Sequence, residues 1–160
     1  MEMKFVMEDD VIKEVFDNWP YIYKAQMIDL YDGDSVTLDI DLGFNTLMTQ
    51  QKCRLYGLDT PEIRGSNKEF GKLVKEKLHE FINEAFAVGY ILIVNTHKDK
   101  AGKFGRWLVT MFLSHDREHV INVNKWLIDN KYAIEYLGGS KDGFEMQHAR
   151  NYKEVMSLTS

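Results

Sequence analysis

The chain contains one cysteine, Cys53, so no disulfide can form within it and the fold does not depend on oxidation. No apolar stretch approaches the roughly 20 residues needed to span a bilayer. The opening MEMKFVMEDDVIKEVF has no basic start and no apolar core of about 7–15 residues, so it does not read as a secretory signal. The expected location is therefore the cytoplasm, with no membrane partner. Linker-like glycine and serine runs are also lacking, and no internal repeat is found. At 160 residues the chain reads as one domain over 21–160, preceded by an extension over 1–20. A basic surplus is absent too. The net charge of −5 runs against the usual footprint of a nucleic-acid binder. The charge is unevenly spread, however. Residues 1–62 hold 13 acids and 5 bases, and residues 63–160 hold 12 acids and 15 bases.

What is present begins with a short amphipathic pattern, Val11, Ile12, Val15 and Phe16, ended at Trp19-Pro20 because the residue before a proline is pushed out of the helical region. From Tyr21 the pattern changes to strands. Val36, Leu38, Ile40 and Leu42 alternate with Thr37, Asp39 and Asp41, a period of two. YDGDS at 31–35 is a glycine-centred turn or bulge, GFNT at 43–46 a hairpin turn, and 47–58 the return strand. Ser66 with Glu69 forms a capping-box pattern. Phe70, Leu73, Val74, Leu78, Phe81, Ile82 and Ala85 then predict a helix over 67–87, with Gly89 as its stop. Strands are expected over 90–95 and 107–113, a short helix capped by Asn122, and a last helix near 143–156. Five antiparallel strands with about three helices, an α+β and mainly β chain, suit a closed oligonucleotide-binding (OB-fold) barrel, and the pattern alone also suits another α+β arrangement.

Three stretches carry candidate chemistry, and each has a plain alternative. YDGDS can be a bulge with solvated aspartates, and DTPE at 59–62 a proline-ended strand with acids facing water. KDKAGKFGRW can be a basic hairpin that solubilises a turn. Taken together they suggest more. Asp34 and Asp59, each at a strand terminus, could offer carboxylate oxygens to a hard cation such as Ca²⁺. Glu62, beyond Pro61, could stand beside the ion and take a proton from water. Arg54 and Arg106 offer planar forks suited to phosphate, and Lys100 and Lys103 lie on the same basic hairpin.

YDGDSVTL, RLYGLDTPEIRG, DKAGKFGRWL and NVNKWLIDNKYA, in that order, resemble the staphylococcal nuclease (thermonuclease) family over residues 31 to about 139. The resemblance implies a five-stranded OB-fold barrel that cleaves DNA and RNA phosphodiesters with one Ca²⁺ and leaves 3′-phosphates. It implies Asp34, Asp59 and the Thr60 carbonyl as metal ligands, Glu62 as general base, and Arg54 and Arg106 as phosphate clamps. Tyr136 is the candidate for stacking on a base. The chain departs from the family at Phe104, where its best-known member has a tyrosine, and in the glycine-rich GGSKDG of 138–143.

Other residues draw plainer readings. His115 and His119 in SHDREH are expected in a solvated loop, His97 at the surface, and His79 and His148 as structural helix residues. Trp107 and Trp126 are expected in the core, and Cys53 buried and unreactive. The competing reading of the whole is a catalytically silent barrel that binds single strands or a protein. A third makes EDDVIKEVFD a docking helix. A monomer is expected.

Overall fold

The computed structural model describes residues 21–101, 105–116 and 118–159, with backbone alone at 98–101. The expected helix over 8–17 and the extension over 1–20 lie outside the described residues.

Strand β1 (Ile22–Leu30) pairs antiparallel with β2 (Ser35–Asp41), and β2 with β3 (Leu47–Leu55). On β2 the alternation is realised directly. Val36, Leu38 and Ile40 are 0–3% exposed, while Ser35, Thr37 and Asp39 lie on the other face. The GFNT turn closes with Thr46 N donating to Gly43 O at 2.9 Å. After the two-residue β4 (Leu58–Asp59) comes helix α1 (Lys68–Ala87). Strand β5 (Ile91–Ala101) then pairs with β1 and with β6 (Trp107–Ser114).

Strand β6 returns to β3, matching Cys53 to Trp107, Arg54 to Leu108 and Leu55 to Val109, and closes a five-stranded ring. This pair is parallel, which corrects the expectation of an all-antiparallel barrel. The reason is geometric. Strand direction cannot alternate all the way round a ring of odd number, so one junction must run parallel. The barrel is OB-fold-like and mixed, with three described helices, α+β and mainly β.

Short elements complete it. β7 (Val120–Asn122) extends the β6 edge and leads into α2 (Val123–Asp129), whose N-cap Asn122 accepts from Lys125 N, as expected. Asn124, on that helix, is buried at the ring seam. It accepts from Met111 N at 3.0 Å and donates to Tyr56 O at 2.9 Å and Val109 O at 3.2 Å. Strand β8 (Ile134–Glu135) pairs with β4, and α3 (Phe144–Leu158) follows. Phe70, Val74, Leu78 and Ile82 of α1, all at 0% exposure, join the barrel interior in one core. Burying each side chain contributes about 2 kcal/mol relative to leaving it in water.

Several local expectations are corrected. The return strand ends at Leu55, because Gly57 turns the chain at φ 81° before β4. Strand β5 continues to Ala101 instead of stopping at residue 95. The capping box does not form. Asn67 is the N-cap without a side-chain bond, because Ser66 instead donates to Glu145 Oε1 at 2.6 Å and ties α1 to α3. Trp107 is 43% exposed, with its indole N–H on Gln51, whereas Trp126 is half-buried and stacks on Phe81. No described helix is long and apolar enough to cross a membrane.

Candidate functional site

The YDGDS bend between β1 and β2 lies hard against its neighbours. A Cβ on Gly33 would sit 2.7 Å from Val74 Cγ1 and 2.9 Å from Thr60 Cγ2. Glycine is therefore what lets the bend reach α1 and the end of β4. The flanking aspartates are each only 5% exposed. Asp34 N donates to Asp32 Oδ1 at 3.1 Å, and Asp34 Oδ2 accepts from Thr60 N at 3.0 Å. The second close approach is at Gly71 of α1. A Cβ there would stand 2.2 Å from Glu62 O and 2.8 Å from Pro61 O, so the helix backbone rests on the segment that carries Glu62.

These contacts frame a cavity of about 470 Å³ lined by Asp32, Asp34, Glu62, Arg54 and Arg106, among others. Its members come from the β1–β2 bend, β3, the segment after β4 and the start of β6. Arg54 lies directly beside Ser35 in the β2–β3 register. Its Nη2 is 3.5 Å from Asp34 Oδ2 and 3.2 Å from Asp59 Oδ1. Arg106 donates to Ser35 Oγ at 3.3 Å, and Ser35 donates to Asp34 Oδ1 at 3.2 Å, so the second guanidinium is coupled to the same aspartate. Glu62 is exposed at the cavity wall.

Asp59 is 5% exposed and engaged on both oxygens. Lys141 Nζ lies 2.5 Å from Oδ1, beside Arg54, and His148 Nε2 lies 2.9 Å from Oδ2. Burial alone would raise the Asp59 carboxyl. The hydrogen bonds and charges of His148 and Lys141 outweigh burial and hold it below its ordinary value. Asp32 behaves oppositely. Burial, and then the charge of Asp34, push its carboxyl up to about 6, with Glu62 adding to the effect.

Asp32, Asp34 and Glu62 present only hard oxygens to one cavity, which suits Ca²⁺. The Asp32 carboxyl is raised first by burial and then by the charge of Asp34, and a cation there would offset the second. Thr60 Oγ1 is buried beside them without a hydrogen-bond partner. The acidic face of the cavity therefore fits the ion, while the Asp59 carboxylate is held by cations of the chain itself.

Of the residues singled out from sequence, Asp34, Glu62, Arg54 and Arg106 share the cavity. Asp59 and Thr60 adjoin it through Arg54 and Asp34. Tyr136 is half-buried away from the cavity lining. Its hydroxyl donates to Gly139 O, and the Lys141 ammonium lies 5.1 Å above its ring. Lys103 and Phe104 lie outside the described residues, as does the side chain of Lys100. Sequence reasoning assigned no individual role to Asp32 and none to Lys141, and it gave His148 only a structural one. Asp32 was visible in YDGDS as a second carboxylate, but no spacing rule connects Lys141 or His148 to Asp59.

The fold and cavity define a small OB-fold-like barrel domain with buried carboxylates and paired guanidinium groups in one pocket. No family model matches the chain. It is similar to an uncharacterized protein of Methanocaldococcus jannaschii, 27% identical over 131 residues, which is 72% of this chain. The match spans 60% of the archaeal protein's length.

Proposed function

We propose that this protein is a Ca²⁺-dependent nuclease of the staphylococcal type that hydrolyses DNA or RNA phosphodiesters. The observation that carries the reading is the meeting of Asp32, Asp34, Glu62, Arg54 and Arg106, from four separate segments, around one cavity. Asp34 and Asp32 would hold the ion, joined by the Thr60 carbonyl and Asp59 of the resemblance once Lys141 releases the Asp59 carboxylate. Bound there, Ca²⁺ supplies positive charge against which phosphoryl oxygens gain negative charge during attack. Arg54 and Arg106 take the same oxygens with fixed, charge-assisted donors, whose effect is largest where charge grows. Glu62, exposed at the cavity wall, accepts the proton of the attacking water.

The test is cleavage of single-stranded DNA and RNA in Ca²⁺ and in EDTA, with Glu62→Gln alongside. Strand scission should require Ca²⁺ and fall on the order of 10²-fold or more in the variant. A second reading, a silent barrel that binds single strands, is favoured by one feature. Both Asp59 oxygens are already taken by Lys141, Arg54 and His148. Strands that stay intact but shift in a binding assay would select it.

A further inference from the structure

The turn between β6 and β7 gathers three side chains outside the cavity. His115, Asp116 and His119 place one imidazole nitrogen each and a carboxylate oxygen within 4.8 Å of one another. His115 Nδ1 is 3.3 Å from Asp116 Oδ2, and His119 Nδ1 is 2.9 Å from Asp116 Oδ1. A tetrahedral ion bound at about 2.0–2.2 Å from nitrogen and oxygen separates its ligands by about 3.3–3.5 Å. The two nitrogen–oxygen spacings lie within about 0.4 Å of that range, and the remaining separation, within 4.8 Å, would close by rotation of the exposed rings.

The turn is organised around Asp116. Its Oδ1 accepts from Glu118 N at 2.8 Å and His119 N at 3.0 Å, and its carbonyl accepts from Ser114 Oγ at 2.9 Å. His115 N donates to His119 O at 3.0 Å, which closes the turn and brings the rings to one side. The His115 ring is also packed against Tyr90, at 5.1 Å between centroids. The backbone donors of Glu118 and His119 fix the Asp116 carboxylate within the turn. Both Nδ1 atoms face that one carboxylate, so two imidazoles and a carboxylate gather at one position open to solvent.

We propose that His115, Asp116 and His119 form a binding site for a borderline divalent ion of the Zn²⁺ class, sharing no residue with the acidic cavity. Two imidazoles and one carboxylate suit Zn²⁺, Co²⁺, Ni²⁺ or Cu²⁺ and do not suit Ca²⁺, which takes six to eight oxygens. Three protein ligands leave one position for water or a ligand from outside. Each imidazole would bind the ion through a ring nitrogen that carries no proton, with its one N–H on the other nitrogen, so protons compete with the ion and affinity falls as pH falls. The ion would then cross-link the two ends of the turn, at His115 and His119.

The untagged full chain should be dialysed against Zn²⁺ at neutral pH with Ca²⁺ in large excess. One Zn²⁺ per chain is expected. His119→Ala and Asp116→Asn should each lower its affinity at least tenfold. Co²⁺ should give the intense visible bands of a tetrahedral complex, lost in the same variants. A saturating 100-fold excess of Zn²⁺ over its dissociation constant should raise the wild-type melting temperature by roughly 5–10 °C. His119 is exposed, so the metal-free His119→Ala protein should melt as wild type does and serves as the variant that keeps the fold. No stoichiometric Zn²⁺ at micromolar concentration would overturn the site. Zn²⁺ that survives both substitutions and is displaced by Ca²⁺ would also overturn it, assigning the ion to the acidic cavity. Neither result depends on nuclease activity.

Discussion

Gly71→Ala sets two effects of opposite sign against each other. Alanine in a helix interior is favoured over glycine by about 1 kcal/mol, so propensity alone predicts a more stable protein. The new Cβ, however, falls 2.2 Å from Glu62 O and 2.5 Å from Glu62 C. Ordinary contact begins at 3.4 Å, so helix and segment must separate by about 1.2 Å. The obstacle is backbone, which cannot rotate aside as a side chain does. Overpacking of this kind costs about 1–3 kcal/mol, and a main-chain clash lies at the upper end. The net expectation is destabilisation by about 1–2 kcal/mol, a fall of roughly 2–8 °C in a chain this long. The same displacement moves Glu62. A misplacement of about 1 Å in a reacting group costs on the order of 10²-fold in rate. Melting followed by circular dichroism, with Ca²⁺-dependent cleavage of single-stranded DNA, reads both. A variant that melts higher than wild type and cleaves normally would refute the close approach and the importance of Glu62's position together.

Arg106→Lys keeps the charge and loses the planar fork, so cleavage should slow at least several-fold; an unchanged rate would mean Arg106 does not meet phosphate. Lys141→Met removes the ammonium from Asp59 and should tighten Ca²⁺ binding several-fold by calorimetry, since a partly exposed pair of this kind contributes about 1 kcal/mol. Unaltered affinity would separate Asp59 from the ion. Asp32 has its carboxyl raised to about 6, so its contribution to metal-free stability is complete below about pH 4 and is lost as pH rises through 6. Urea denaturation without divalent ions should show Asp32→Asn gaining on wild type by on the order of 2 kcal/mol between pH 4 and 7, and equal slopes in the two proteins would exclude that origin.

The barrel's local pieces were legible because local spacing encodes them. The alternation of Val36, Leu38 and Ile40 and the apolar stripe of α1 each state which face is buried. Direction around the ring is not encoded that way, and the parallel junction follows only from counting strands. Ser66 and Glu69 satisfied a capping rule that tertiary structure overrode when Glu145, 79 positions away, captured the serine. Trp107 is hydrophobic in type but stands at the first position of its strand, where one ring face stays in water. At the cavity, Asp34, Arg54, Glu62 and Arg106 were found by matching patterns, not by physics local to any one stretch. Lys141 and His148 reach Asp59 from 82 and 89 positions away, on a loop and a helix whose own sequences serve other needs.

The seam between β3 and β6 also bears on the order in which the molecule is made. Gln51 and Trp107, bonded across it, are 56 positions apart, so the seam carries a larger loop-closure cost than any hairpin and forms after them. The carboxylates of the β1–β2 bend are in place once the first hairpin exists. Arg54 and Arg106 sit on opposite sides of the seam and come together only when the ring shuts. During refolding the acidic half of the pocket therefore precedes the union of the two guanidinium groups, which waits on a long-range closure of the ring. A chain caught before that closure has Arg54 beside the carboxylates but lacks Arg106 there.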